Sequence, residues 1–123
     1  MNVKVDVLDP TQAPMGGPKK GKYVVYHGTN DSGAQSLSTH GIDRSTLNNP
    51  DEFQVSIDPQ QAAHFGADEV AQNGGVLKLV RYKLPEDKFL ELYHQGHVTQ
   101  SAASGSLSFD SFAQDVLNSA FGA

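Results

Sequence analysis

The sequence predicts a single α+β domain. Short apolar runs of strand type alternate with two stretches that carry helix start and stop signals, and most connections are two to five residues long. The clearest strand-type runs, Tyr23–Tyr26 and Val76–Tyr82, are rich in β-branched and aromatic residues. A chain of 123 residues is long enough to bury one hydrophobic core without disulfides or structural metals.

Two helices are predicted from the signals at their ends. Asn30–Ser32 supply N-cap chemistry for a helix over about 32–40, and Gly41 is placed to end it. Asp58–Pro59 pairs an N-cap residue with proline at the first helical position, which predicts a second helix over about 59–73.

The remaining segments are predicted from periodicity and from turn residues. Phe53–Ile57 alternates as a strand, and Leu84–Pro85 turns the chain before a short strand at Phe89–Leu92. Residues 94–108 are rich in Ser, Gly and Gln and predict a loop. Helical spacing over 109–121 predicts a terminal helix, although its first two residues also fit a strand. The predicted order is β-α-β-α-β-β-α.

Residues 1–21 contain three prolines and three glycines. This composition predicts a flexible or extended arm that follows a short first strand, with the folded domain occupying residues 22–123. The same composition is typical of the junction between a larger delivery protein and its terminal module.

Composition also argues against several functions. The absence of cysteine excludes disulfides, thiol catalysis and cysteine-based zinc sites. A net charge of −5 argues against a general nucleic-acid binder, which needs clustered Lys and Arg. No apolar run approaches the roughly 20 residues that span a bilayer, so no membrane partner is expected. His94 and His97 lie three apart in a predicted loop with few nearby carboxylates, and we expect no metal site.

The segment Tyr26-His27-Gly28-Thr29 is the strongest functional signal. It ends a predicted strand and places an imidazole beside a residue without a Cβ, where a planar ligand can approach the backbone. Gly41-Ile42, Phe53–Ser56, Gln61–Phe65 and Gly74–Leu79 follow in order.

Together these segments resemble the histidine-containing branch of the ADP-ribosyltransferases, which includes diphtheria toxin and the poly(ADP-ribose) polymerases. The resemblance covers roughly residues 22–93. It implies two small packed β-sheets around an NAD cleft with flanking helices, and NAD⁺ as the substrate. His27 would hold a ribose hydroxyl, Gly28 would pair its backbone with the nicotinamide carboxamide, and Phe65 would stack on the nicotinamide ring. Thr29 and Ser56 are the other implied NAD⁺ contacts.

Two positions depart from the family pattern. Gln54 stands where the family has its first stacking tyrosine, and it is the second implied catalytic residue. The late catalytic glutamate has no clear equivalent. Asp110 is the first candidate for that position, followed by Gln114 and Glu91.

The resemblance implies a small bacterial mono-ADP-ribosyltransferase toxin or effector. Such a protein cleaves the nicotinamide–ribose bond, transfers ADP-ribose to a macromolecular acceptor in the recipient cytoplasm, and requires an immunity protein in its producer. It would be secreted by a specialised system or delivered as part of a larger protein. The alternatives are a non-catalytic NAD-binding or interaction module of the same fold, an NAD glycohydrolase, and an RNA 2′-phosphotransferase. The last is disfavoured because Arg44 and Arg81 are the only arginines.

Overall fold

The computed structural model describes residues 2–121, within which seven strands form two antiparallel sheets flanked by four helices. The strands are β1 (Lys4–Leu8), β2 (Gly17–Lys19), β3 (Lys22–Asn30), β4 (Phe53–Val55), β5 (Leu77–Pro85), β6 (Val98–Gln100) and β7 (Leu107–Phe109). The larger sheet has the order β1-β5-β3-β2 and the smaller sheet the order β4-β7-β6. The predicted α+β class is confirmed.

The helices are α1 (Asp31–His40), α2 (Pro59–Asn73), α3 (Glu86–His94) and α4 (Ser111–Asn118). The end signals of the first two act as predicted. The Asn30 side chain accepts a hydrogen bond from the Gly33 N–H at 2.8 Å, and Gly41 ends α1 with a φ of 84°. Asp58 accepts from the Gln60 N–H at 2.9 Å at the start of α2. Within residues 2–121, no helix combines the length and apolar character needed to cross a bilayer.

The predicted strand at Phe89–Leu92 is wrong, because this segment lies inside α3. Phe89 and Leu92 are three residues apart and both are buried, whereas the two residues between them face solvent. Four residues, of which three are apolar, do not distinguish a strand from one turn of helix. The predicted turn at Leu84–Pro85 is also displaced, because β5 continues to Pro85 and α3 follows directly.

The predicted loop over 94–108 contains β6 and most of β7, which pair as a hairpin from Val98↔Phe109 to Gln100↔Leu107. Short strands with polar outward faces give little apolar signal, so composition alone predicts a loop here. The terminal helix begins later than predicted, at Ser111, and ends in a 3₁₀ turn at Ser119–Phe121. Residues 122–123 of the predicted domain lie outside the described residues.

The predicted flexible arm belongs to the larger sheet over its described residues. The short first strand is present as β1, which pairs with β5 along five residues, and within the arm that follows it β2 pairs with β3 along three. Between them, the Tyr26 hydroxyl donates to the Pro14 carbonyl at 2.7 Å and the Gly16 N–H donates to the Ile57 carbonyl at 2.7 Å. Proline and glycine mark local turns in this segment, but tertiary pairing holds it in place.

Two apolar layers enclose the larger sheet. One face packs on the smaller sheet, through buried residues that include Val25, Phe53, Tyr82 and Phe109. The opposite face packs on α2 through Val24, Tyr26, Ala62 and Leu79. The edge of β3 that faces β4 therefore lies where the two sheets and α2 meet.

Candidate functional site

The two sheets are joined at β4, and we call the gap beside this joint the sheet junction. The antiparallel bridge between Tyr26 and Ser56 lies at one end of this gap. From the bridge, β3 continues to His27 and Gly28 on one side of the gap, and Gln54 lies on the other side. Tyr26 and Ser56 exchange two backbone hydrogen bonds of 2.8 and 2.9 Å. Before Ser56, the chain pairs with β7 instead, with Gln54 opposite Ser108. β3 and β4 thus separate directly after the bridge.

Gly28 presents its backbone to the sheet junction. The N–H and C=O groups of a strand point to alternate sides, so Gly28 faces the same edge as Tyr26, two residues earlier. Tyr26 uses that edge to pair with Ser56. Within residues 2–121, no backbone partner on this edge reaches the Gly28 N–H or C=O. The junction therefore contains one donor and one acceptor at fixed positions.

The missing side chain of Gly28 is explained by helix packing. A Cβ at this position would lie 1.8 Å from the Ala62 carbonyl oxygen, and one at Gly66 would lie 2.8 Å from the Thr29 nitrogen. The two glycines let α2 and β3 approach at backbone contact. Gly28, which the sequence predicts to allow a ligand close to the backbone, thus allows α2 to pack closely on β3. Only its peptide groups face the gap.

His27 is fixed by one hydrogen bond and one stack. Its Nδ1 lies 2.7 Å from the Gln54 carbonyl oxygen, and its ring stacks on Phe53 with centroids 4.3 Å apart. Because a carbonyl oxygen only accepts, Nδ1 carries the proton and Nε2 of the neutral ring is an acceptor. Burial lowers the pKa of His27, although the Gln54 carbonyl and the Glu69 carboxylate oppose that effect. The imidazole is therefore neutral at pH 7.

Phe65 lies on the side of α2 that borders the sheet junction. Gln61, Phe65 and Glu69 are spaced four apart and so form one row along the helix. At one end of the row, Gln61 accepts a hydrogen bond from the Ser56 hydroxyl at 2.5 Å. At the other end, the Glu69 carboxylate acts on His27. Phe65, between them, is half-buried.

The other two predicted NAD⁺ contacts are buried. The Ser56 hydroxyl donates to Gln61 and accepts from the Asp58 N–H at 3.0 Å. The Thr29 side chain lies under the first turn of α1, where a Cβ on Gly33 would approach its hydroxyl to 2.4 Å. The Ser56 hydroxyl thus holds the turn before α2, and both residues are less than 10% exposed.

A cavity of about 370 Å³ lies on the outer face of the smaller sheet. Its floor is a cross-strand row of Gln54, Ser108 and Thr99. Its rim is formed by Gly96 and by polar and acidic residues, namely Asn49, Asp51, Glu52, His97, Gln100, Ser101, Ser106 and Asp110. Gln54 connects the two regions, because its carbonyl holds His27 while its side chain lines the cavity.

The three candidates for the late acidic position lie in different places. Asp110 lines the cavity, but both carboxylate oxygens are engaged, one by the Ala113 N–H at 2.9 Å and one by His97 at 2.8 Å. Gln114 is fully buried, with its Nε2 donating to the Pro50 and Phe109 carbonyls. Glu91 is exposed on α3, beside Lys88. Of the three, only Asp110 shares a cavity with Gln54.

His97 lines the same cavity as Gln54 and Asp110, and the sequence does not predict that placement. The β6–β7 register sets Val98 opposite Phe109, so His97 falls opposite Asp110, and the Asp110 N–H donates to the His97 carbonyl at 3.0 Å. The signal for this pair was the alternation in 97–100 and 107–110 on either side of Gly105, which is typical of a hairpin.

Within residues 2–121, no three His, Asp or Glu side chains are grouped as metal ligands. Comparison of the chain with models of protein families, with curated proteins and with solved structures found no match.

Proposed function

We propose that this chain is an NAD⁺-dependent mono-ADP-ribosyltransferase domain of the toxin or effector type. The observation that supports it best is the arrangement at the sheet junction. There, a neutral His27 with its Nδ1 proton held by the Gln54 carbonyl stands beside the Gly28 peptide groups, for which residues 2–121 supply no backbone partner on this edge. A hydrogen-bond acceptor next to a donor–acceptor pair suits the ribose and carboxamide of a nicotinamide nucleoside.

Each group has a defined part in this proposal. The Gly28 N–H and C=O match the acceptor and donor of the nicotinamide carboxamide. His27 Nε2 accepts from a ribose hydroxyl and fixes the sugar. Phe65 stacks on the nicotinamide ring, which contributes on the order of 1 kcal/mol beyond area burial. Cleavage of the nicotinamide–ribose bond develops positive charge on the ribose, so orientation of the sugar and nearby carboxylates favour the transition state.

The test is incubation with NAD⁺ labelled in the adenine half, together with cell extract. Transfer of label to macromolecules, with release of nicotinamide, supports the transferase. Release of both nicotinamide and free ADP-ribose indicates an NAD glycohydrolase. His27→Ala should abolish either reaction, whereas His40→Ala, at the exposed end of α1, should not. Expression in a cytoplasm without toxicity and without loss of NAD⁺ would contradict the proposal.

A non-catalytic NAD⁺-binding module is the second candidate. It is favoured by the engagement of both Asp110 oxygens and by the positions of Gln114 and Glu91 outside the cavity that Gln54 lines. Binding of NAD⁺ without turnover would identify it. An RNA 2′-phosphotransferase is further disfavoured because Arg44 is paired with Asp115 and Arg81 with Asp6.

A further inference from the structure

The cavity on the smaller sheet contains an ordered His97–Asp110 pair. His97 directly precedes β6 and Asp110 directly follows β7, so the hairpin register brings their backbones together. The Nδ1 of His97 and the Oδ2 of Asp110 are 2.8 Å apart. The imidazole also stacks on Phe112, with ring centroids 4.4 Å apart and planes 20° apart.

These contacts fix which nitrogen is free. The carboxylate only accepts, so the proton of the neutral imidazole lies on Nδ1 and the lone pair lies on Nε2. Asp110 cannot turn away, because its Oδ1 is the N-cap acceptor of α4. The pair thus has the geometry of a base and the group that orients it.

The size and charge of the cavity determine which molecules can reach Nε2 of His97. The cavity volume of about 370 Å³ is within the range of small-molecule sites. The charged groups facing it are Asp51 and Glu52 from the loop before β4, together with Asp110. No Lys or Arg of residues 2–121 lines it, whereas Ser and Thr hydroxyls and the Gln54 amide do. An anionic acceptor is disfavoured here, and a neutral hydroxyl is accommodated.

We infer that His97 is the general base that activates a hydroxyl nucleophile, and that Asp110 positions it. This inference rests on the proposed NAD⁺ chemistry. In the step, Nε2 of His97 takes the hydroxyl proton as the oxygen bonds to C1′ of the ribose. The C1′–N bond breaks, and its electron pair stays on neutral nicotinamide. The imidazolium then returns its proton to water, so the overall reaction releases one proton.

Gln54 is the link between this base and the NAD⁺ site. Its backbone carbonyl orients His27 at the sheet junction, and its side chain and that of His97 line the same cavity. The hydroxyl would therefore approach from the cavity side. This geometry assigns Asp110 an indirect role in place of the direct one that the sequence suggested.

The experiment measures nicotinamide release and NAD⁺ affinity for the wild type, His97→Gln and Asp110→Asn. We expect release to fall by about 10²-fold or more in His97→Gln, with unchanged affinity. Asn retains the N-cap but reverses the Nδ1 hydrogen bond, so Asp110→Asn should lose as much rate while keeping its unfolding midpoint. His94→Gln, on the exposed end of α3, is the matched control and should behave as the wild type.

Two further readouts separate a base from a structural residue. The wild-type rate should fall as pH is lowered, because imidazolium cannot accept a proton, and this decline should be smaller in His97→Gln, in which only the protonation of His27 remains. The second readout is the product formed when methanol is added. Methyl ADP-riboside would identify an alcohol as acceptor, and ADP-ribose alone would identify water. Formation of either product by the wild type, with loss of that product in both His97→Gln and Asp110→Asn, supports the inference. Wild-type rates and an unchanged pH profile in His97→Gln would overturn it and leave the transferase standing. NAD⁺ binding by the wild type without release of nicotinamide would contradict both the transferase and the assignment of His97 as its base.

Discussion

At the scale of single residues, the His27 imidazole couples folding to proton binding. Burial between the sheets lowers its pKa, while the bond to the Gln54 carbonyl keeps the remaining proton on Nδ1. The same environment that makes Nε2 an acceptor thus disfavours the charged ring. A residue suited to hold a ribose hydroxyl is therefore also a destabilising residue at low pH.

The direction of that effect follows from linkage. The unfolded chain binds a proton at His27 near its ordinary pKa of 6.5, whereas the folded chain binds it only at lower pH. The free energy of unfolding should therefore decrease as pH falls below about 6.5. Urea denaturation between pH 7.5 and 5 checks this, and His27→Gln should show a smaller decrease. An equal decrease in both proteins would contradict the assignment.

Gly28 is expected to be intolerant of any side chain. Gly28→Ala would place a Cβ 1.8 Å from the Ala62 oxygen and should lower the free energy of unfolding by about 3 kcal/mol or more. Gly21→Ala is the matched control, because no atom lies within 4 Å of its Cβ and only its φ of +83° is unfavourable, at about 1 kcal/mol. Chemical denaturation of both variants compares them. Equal losses would show that α2 does not pack on β3 as described.

At the scale of elements, β1 and the residue before it stabilise the larger sheet. Val3, next to β1, is 6% exposed and packs in the core between the sheets, whereas Val7 is 38% exposed. Val3→Ala should therefore cost about 1–3 kcal/mol of unfolding free energy, and Val7→Ala less than about 0.5 kcal/mol. Urea midpoints of the two variants test this. Indistinguishable midpoints would indicate that residues 1–8 are dispensable and that the predicted arm is separate.

How well sequence predicted each element depended on whether its signal was local. α1 and α2 were predicted nearly to the residue, because caps such as Asn30, Asp58 and Gly41 act on their own helices. α3 was assigned as a strand because its buried pair, Phe89 and Leu92, is too short to show a period. β2 and β6 were not predicted, because each depends on pairing with another strand, β3 and β7 respectively.

In the candidate site, too, the features with a local signal were predicted and those that depend on distant contacts were not. The sequence predicts Tyr26–Thr29 as the end of a strand, with an imidazole beside a glycine, because that signal is contained in neighbouring residues. The hydrogen bonds of Ser56 to Gln61 and of Asp110 to His97 join residues from different elements, so the sequence does not show them. Side-chain partners of this kind become visible only when the two sheets are placed together.

At the scale of the whole molecule, two small sheets joined at one bridge create two adjacent openings. The sheet junction presents His27 and the Gly28 backbone, and the cavity beside it presents Gln54, His97 and Asp110. The proposed division assigns nicotinamide and ribose to the junction and the incoming hydroxyl to the cavity. Both assignments depend on NAD⁺ binding at the junction, which is the central claim.

Calorimetric titration of NAD⁺ into the wild type, His27→Ala and His40→Ala tests that claim most directly. We expect saturable binding by the wild type, affinity lowered by about tenfold or more in His27→Ala because one buried hydrogen bond to the ribose is lost, and an unchanged affinity in His40→Ala. Circular dichroism confirms that each variant is folded. Absence of binding to the folded wild type at millimolar NAD⁺, or equal affinity in all three proteins, would contradict the account.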